Sequence, residues 1–346
     1  MSAKKKKMLK DVGEWGLLKW LYSEIGRHLC GRMDVAVGIG DDSAVVNVNG
    51  PIRIAITTDA LIEGIHFERT YSTPYDLGWK ALAVNLSDLA ATFAEPIAAF
   101  VTVALPSDTT IAWVRQFYRG MIDLAERFDV AILGGDTSSS EDGIFISVSA
   151  IGRCGDKLPA RSNAKPGSSV IVTGTLGESA IGLLALQRLG RETVMRSRTL
   201  KRLAERHLRP VPRLKEGLVA LSTGLCECAI DVSDGLVSDL SRVAEMSGVR
   251  IRLWFENLPI SPQAIEASKQ LACSPLEMAL YGGEDYELLM TIPTEYAHQV
   301  CNTIESSCKV KCSIIGVVEA GKPYVYGIDE RGKHLRLAGG YEHFRA

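Results

Sequence analysis

The sequence predicts a mixed α/β (α+β) protein of two domains, and three observations carry that expectation. At 346 residues the chain is longer than one hydrophobic core usually organises. Strand-length apolar runs alternate with Ala- and Leu-rich segments of helical spacing along its length. Near the middle, residues 153–168 are rich in Gly, Pro, Ser and charge, which marks a domain boundary and divides the chain into 1–153 and 154–346.

Asp11 followed by Glu14 has the pattern of a capping box, and Leu18, Leu21 and Ile25 continue it as a first helix. Residues 35–39 and 52–58 read as strands, the second alternating Ile52, Ile54 and Ile56 with Arg53, Ala55 and Thr57. A helix follows over about 76–92, a strand over 97–105 and a long amphipathic helix over 110–128. A short strand over 130–133 runs into Gly134-Gly135-Asp136, and a strand over 144–152 closes the first unit. Beyond the boundary come a strand at 169–173, a turn at 174–177, a helix at 179–189 and further helices. The remaining strands are one before Asp231 and those near 250–254, 286–292, 314–318 and 323–326.

Composition narrows the function classes. Hydrophobic residues at 46% and charged residues at 23% are ordinary for a globular chain, and a formal net charge of −2 carries no signature of a nucleic-acid binder. The basic run Lys4 to Lys7 reads as a solvated terminus, and no apolar stretch is long enough to cross a bilayer, so a cytosolic protein is expected. Eight cysteines in a chain of this length do not form a disulfide scaffold, and neither Cys226/Cys228 nor Cys308/Cys312 has zinc-knuckle spacing.

The chemistry is concentrated in five short acidic segments: Gly38-Ile39-Gly40-Asp41-Asp42, Thr57-Thr58-Asp59, Asn85-Leu86-Ser87-Asp88, Gly134-Gly135-Asp136-Thr137 and Asp231-Val232-Ser233-Asp234-Gly235. Taken singly, each reads as a turn, a cap or a solvated carboxylate. Most of them end an apolar run with small or hydroxylated residues, which places carboxylates at the ends of buried strands. Gathered there they would repel one another, and the remedy is a hard cation such as Mg²⁺, which usually carries phosphates. No Walker lysine loop occurs, the turn at Gly174 and Gly177 lacks the first glycine of a dinucleotide fingerprint, and Ser179 lacks the glycine of a nucleophile elbow. His66, beside the Thr58-Asp59 segment, is a candidate ligand for an anionic substrate.

These segments, together with Gly64-Ile65-His66-Phe67, the run Lys80 to Ala91, Arg161 with Lys165-Pro166-Gly167, His207-Leu208-Arg209-Pro210 and Gly282-Gly283-Glu284-Asp285-Tyr286-Glu287-Leu288, resemble the thiamine-monophosphate kinase family. The matches run in order from about residue 14 to Phe344. The resemblance implies the two-domain fold shared with aminoimidazole ribonucleotide synthetase, with N-terminal sheets pairing across a homodimer. It implies transfer of the ATP γ-phosphoryl group to thiamine monophosphate, assisted by several Mg²⁺ ions. It further implies that Asp42, Thr57, Thr58, Asp59, Asp88, Asp136, Asp231 and Asp234 hold metal. Gly135, Asp136, Arg161 and Ser233 would contact ATP, and His66 and Glu284 thiamine phosphate. No general base is assigned, because the acceptor phosphate, with a second pKa of about 6, is already largely dianionic near neutrality.

The chain departs from the pattern at Phe93-Ala94 and at Ala338, where some members place an aromatic residue to stack on the thiamine; Tyr341 and Phe344 are the aromatics nearby. The alternatives on the same fold are another ATP-using synthetase, such as selenophosphate synthetase, and a non-catalytic maturation scaffold. The first would need a reactive Cys in a glycine-rich N-terminal loop, whereas Cys30 follows Arg27-His28-Leu29. The hydrogenase-maturation relative ends in a functional cysteine, whereas this chain ends in Ala346.

Overall fold

In a computed structural model the protein is described for residues 14–19, 21–23, 27, 33–48, 52–329 and 331–339. Residues 14–19 and 21–23 are helical; Asp11 of the expected capping box, Ile25, Cys30, Tyr341 and Phe344 lie outside the described residues.

The first unit is a six-stranded sheet in the order β1-β2-β3-β6-β4-β5. Its strands are β1 (Val35–Val37), β2 (Ala44–Asn47), β3 (Arg53–Ile62), β4 (Glu95–Pro106), β5 (Ala131–Ser140) and β6 (Phe145–Cys154). β4 and β5 are parallel, joined by a helical crossover, and the other neighbours are antiparallel. Helices α1 (Pro74–Ala91) and α2 (Ile111–Phe128) cover one face. Thr73 and Asp76 form a reciprocal capping box that starts α1. The two helices cross at Gly78 and Gly120: a Cβ at Gly78 would stand 1.8 Å from Phe117 O, and one at Gly120 2.0 Å from Tyr75 O. Backbones this close let Leu82, Leu86 and Leu89 pack jointly with Phe117, Met121 and Leu124 on Val101, Val103, Ile146 and Val148.

α1 is buried almost all round, because its far side meets the second unit. That unit is a seven-stranded sheet in the order β13-β12-β9-β11-β7-β10-β8. It comprises β7 (Ser168–Thr173), β8 (Cys228–Asp231), β9 (Val249–Trp254), β10 (Leu288–Pro293), β11 (Cys312–Ala320), β12 (Tyr324–Ile328) and β13 (His334–Leu337). Around it run α3 (Glu178–Arg196), α4 (Arg198–Leu208), α5 (Leu214–Thr223), α6 (Leu236–Ser247), α7 (Pro262–Gln270), α8 (Pro275–Tyr281) and α9 (Ala297–Cys308).

Two strands outrun their expected ends by four residues or more. β3 continues to Ile62, so Asp59 sits inside a strand rather than after one. β5 continues through Gly134-Gly135-Asp136 to Ser140, because its parallel ladder with β4 carries it on. At Gly135 φ is +151°, and an added Cβ would lie 1.7 Å from Val101 O, so only glycine passes there. β5 is an edge strand, and the sheet face away from α1 exposes Ile56 and Phe100 at 40% each, Phe145 at 36% and Leu133 at 63%.

Candidate active site

A cleft of about 530 Å³ lies where the two units meet, and α1 runs along it. Helical spacing puts Lys80, Val84, Ser87 and Asp88 on one stripe of α1. Alternation in β3 turns Thr57 and Asp59 toward that stripe, and β8 delivers Asp231 from the other unit. Thr57 Oγ1 donates to Asp88 Oδ2, and Ser87 Oγ donates to Asp231 Oδ2 at 2.6 Å. Asp42, Asp88 and Asp231 each offer an oxygen within 4.8 Å of the others.

The electrostatics of this end are lopsided. Burial, followed by the charges of Asp59, Asp231 and Asp42, pushes Asp88 well above the carboxylate range. Burial and Asp42 do the same to Asp231, and burial, with Asp234 and Asp42 adding to it, lifts Asp59 to about 6. Asp41 also rises to about 6, through burial and Asp42. The Arg161 guanidinium pairs with both Asp42 oxygens, and Arg242 pairs with Asp234. Asp231 Oδ1 is buried and has no hydrogen-bond partner among the described residues. An orphaned carboxylate oxygen among crowded carboxylates and hydroxyls fits an oxygen-seeking divalent cation, and Asp42, Asp88 and Asp231 are the residues that would hold it.

The other end of the cleft is built differently. Ile65, Tyr71, Leu183 and Tyr286 supply an apolar and aromatic wall around Glu284. Lys80 Nζ lies 2.8 Å from Glu284 Oε1, and His207 Nδ1 lies 3.0 Å from Oε2. Burial alone would raise Glu284, but these two neighbours override it and hold the carboxyl well below its usual range. Burial and Lys80 lower His207, so near neutrality its imidazole is uncharged and donates through Nδ1. Ser179 Oγ meets the same Nδ1 at 3.2 Å, which excludes a serine-histidine-carboxylate relay, since that needs both ring nitrogens.

The cleft gathers Asp42, Thr57, Thr58, Asp59, Asp88, Arg161, Asp231, Ser233, Asp234, His66 and Glu284 from the expected set. The Thr58 hydroxyl is turned to β6, donating to Val148 O at 3.2 Å and accepting from Ser149 Oγ at 3.0 Å. His66 follows β3 in a turn, where its Nδ1 accepts the N–H of Ile62 at 3.0 Å. Gly135 and Asp136 are not brought in. Through the ladder Asp59–Val148–Val101–Gly135 they stand level with the site but three strands away, about 14 Å at ordinary strand spacing.

Several residues at the site went unassigned from sequence. Lys80 is a lone charge in the apolar run Ala81-Leu82-Ala83-Val84, a signal that a buried partner awaits it. Asp239 accepts the N–H groups of Ser233 and Asp234 at 3.1 and 3.2 Å and pairs with Arg242, so it shapes the Asp231–Gly235 loop. Tyr71 and Arg242 carry no local signal.

Comparison with known proteins follows the same division. Residues 40–154 match the N-terminal domain of AIR synthase related proteins and residues 165–328 the C-terminal domain. The chain is 35% identical to the thiamine-monophosphate kinase of Aquifex aeolicus (strain VF5) over 97% of its own length and 99% of that protein's. To the enzyme of Escherichia coli (strain K12) it is 39% identical over 81% and 83%. The chain belongs to the thiamine-monophosphate kinase family. Its fold superposes on a solved structure of AaThiL complexed with AMPPCP and TMP with a TM-score of 0.82 at 32% identity, covering 99% of this chain and 100% of that one. The kinase from Stenotrophomonas maltophilia K279a gives 0.74 at 33%, covering 89% and 95%. The hydrogenase maturation protein HypE, solved in complex with ATP, shares the fold at 19% identity, with a TM-score of 0.67 over 92% of this chain and 93% of that one. As a family member the chain is a kinase, and among the described residues no helix is long and apolar enough to cross a membrane.

Proposed function

We propose that the chain transfers the γ-phosphoryl group of ATP in line to the phosphate of thiamine monophosphate, yielding thiamine diphosphate and ADP. The observation that carries this reading is the opposite character of the two ends of one cleft: crowded, under-neutralised carboxylates at one, and an ionised carboxylate in an aromatic pocket at the other. The second suits an aminopyrimidine, which can donate to Glu284 while its ring lies on Tyr71 or Tyr286. The first suits Mg²⁺ ions, which when bound neutralise the two polyanions that must meet. Asp42, Thr57, Thr58, Asp59, Asp88, Asp231 and Asp234 would hold them, Arg161 and Ser233 would contact ATP, and His66 and Glu284 would contact the acceptor. The units 1–153 and 154–346 each contribute part of the cleft, and catalysis consists of alignment and charge neutralisation.

The roles of Gly135 and Asp136 depend on a second copy. An edge strand and an exposed face carrying Ile56, Phe100, Leu133 and Phe145 support a homodimer formed through the first sheet, in which Asp136 of one copy serves the cleft of the other. Mixing inactive Asp88→Asn and Asp136→Asn proteins tests this, because mixed dimers would contain one intact site and regain activity. A mixture as inactive as its components would remove the shared site.

The reaction itself is tested by incubating the protein with Mg-ATP and either thiamine or thiamine monophosphate and separating the products. Thiamine diphosphate from the monophosphate alone is the expected result, and turnover of free thiamine or of neither compound would overturn the assignment.

A further inference from the structure

We propose that Lys80 is a positioning residue for the acceptor, acting through Glu284, and that α1 sets the span an acceptor must cover. This rests on the phosphoryl-transfer reading above. The Lys80 side chain is 3% exposed and sits behind a Glu284 side chain that is 25% exposed, so a ligand in the cleft meets the carboxylate and not the ammonium. Lys80 Nζ lies against one carboxylate oxygen and His207 Nδ1 against the other, so both oxygens are held from behind while the group faces the cleft.

The backbone under Glu284 needs that support. Its φ is +64°, a left-handed conformation unfavourable for a residue with a side chain, and Tyr286 two positions on has φ +50°. The strained segment is held by Glu284 N donating to Ser233 O at 2.7 Å and by Tyr286 N donating to Val232 O at 2.9 Å. The loop that presents Glu284 is therefore the neighbour of the loop that presents Asp231, while Lys80 approaches from the other unit.

The same helix that carries Lys80 also carries Ser87 and Asp88, bonded to Asp231 and Thr57. Eight residues of α-helix separate Lys80 from Asp88, a rise of about 12 Å. One rigid element thus fixes the distance between the group that orients Glu284 and the carboxylates that would hold metal. The acceptor class this selects is an elongated phosphate monoester whose far end donates hydrogen bonds to a carboxylate.

The test compares Lys80→Met, Glu284→Gln and the double variant by calorimetric binding of thiamine monophosphate and, separately, of a non-hydrolysable ATP analogue with Mg²⁺. Each single change should weaken thiamine monophosphate on the order of 10-fold or more. Binding of the analogue should stay within about 2-fold in both. The double variant should bind thiamine monophosphate no more weakly than Glu284→Gln alone, because Lys80 has no other route to the ligand. Should Lys80→Met fail to fold with an unpaired buried carboxylate, the double variant, which carries neither charge, still permits the comparison with Glu284→Gln. Additive losses, or equal weakening of both ligands, would overturn the role of Lys80 while leaving the reaction in place. No binding of thiamine monophosphate by the unaltered chain would remove the reaction assignment and this inference with it.

Discussion

Buried carboxylates occur in two groups in this molecule, and their surroundings differ in sign. Asp59, Asp88 and Asp231 line one end of the cleft, and burial together with repulsion from neighbouring carboxylates, Asp42 among them in each case, raises all three. Glu287 is fully buried and Glu284 a quarter exposed, yet Glu287 is flanked by Arg213 and Arg206 and Glu284 by the Lys80 ammonium and the His207 imidazole, and both are held down. Glu287 also accepts from Thr173 Oγ1 at 2.7 Å and from Arg213 Nε at 2.6 Å. The first group is unfinished as a charge system and calls for a cation from solution; the second is complete and gives shape to the loop between α8 and β10. Burial alone therefore does not separate a ligand site from a framework, whereas the balance of charge around it does.

The sharpest way to break the contrast is to neutralise one carboxylate in each group. Asp88→Asn should reduce turnover by about 10³-fold or more, since it removes a group that would hold the ions neutralising two polyanions. In Mg²⁺-free buffer the same variant should melt no lower than the unaltered protein, because it relieves repulsion. A lowered melting temperature with turnover retained would reverse the roles assigned here. Glu287→Gln should do the opposite. It removes the carboxylate that Arg206 and Arg213 share and leaves them, among the described residues, only Glu178 at 3.3 Å and Glu216 at 3.8 Å, a loss of about 3 kcal/mol in stability, seen as a lower urea midpoint. A Glu287→Gln protein as stable as the original would show that the second group is not the framework its geometry indicates.

How far the sequence reveals these groups differs between them. The carboxylates of the first are legible because Asp pairs with Gly, Ser or Thr at every one of its segments, and α1 and α2 are legible from spacing and caps. Asp59 and Asp136 are misplaced relative to their strands, because a strand's length is set by its neighbours in the sheet and not by its own residues. The framework group is hidden for the same reason. Arg206 and Arg213 look like ordinary helix-surface and loop cations until β7 and β10 bring Thr173 and Glu287 beside them. Lys80 gives the clearest missed signal, a charge inside an apolar helix, which states that a partner exists but not which one.

The smallest effect expected is a dependence of stability on pH that divalent ions reduce. An acid whose folded-state pKa is raised binds its proton more tightly when folded, so it favours the folded state at low pH and ceases to do so as pH rises through that value. With Asp41 and Asp59 lifted from 3.8 to about 6, Asp239 and Asp285 to about 7, and Asp88 and Asp231 raised as well, the metal-free protein should lose stability steadily as pH rises from about 4 to neutrality. Each unit of elevation is worth about 1.4 kcal/mol where the group stays out of water. Glu284 and Glu287, held down by their partners, act in the opposite sense: their contribution is present above the ordinary glutamate range and is lost as the solution is made more acidic. Thermal melts across pH 4 to 8, with chelator and with saturating Mg²⁺, separate the two groups. The part of the decline due to the crowded aspartates should vanish with Mg²⁺, while the part due to Asp285, which is held by the Gly177 and Ser179 N–H groups, and any acid limb due to the glutamates should remain. A decline of equal size under both conditions would mean that the crowded aspartates are not where the ion binds.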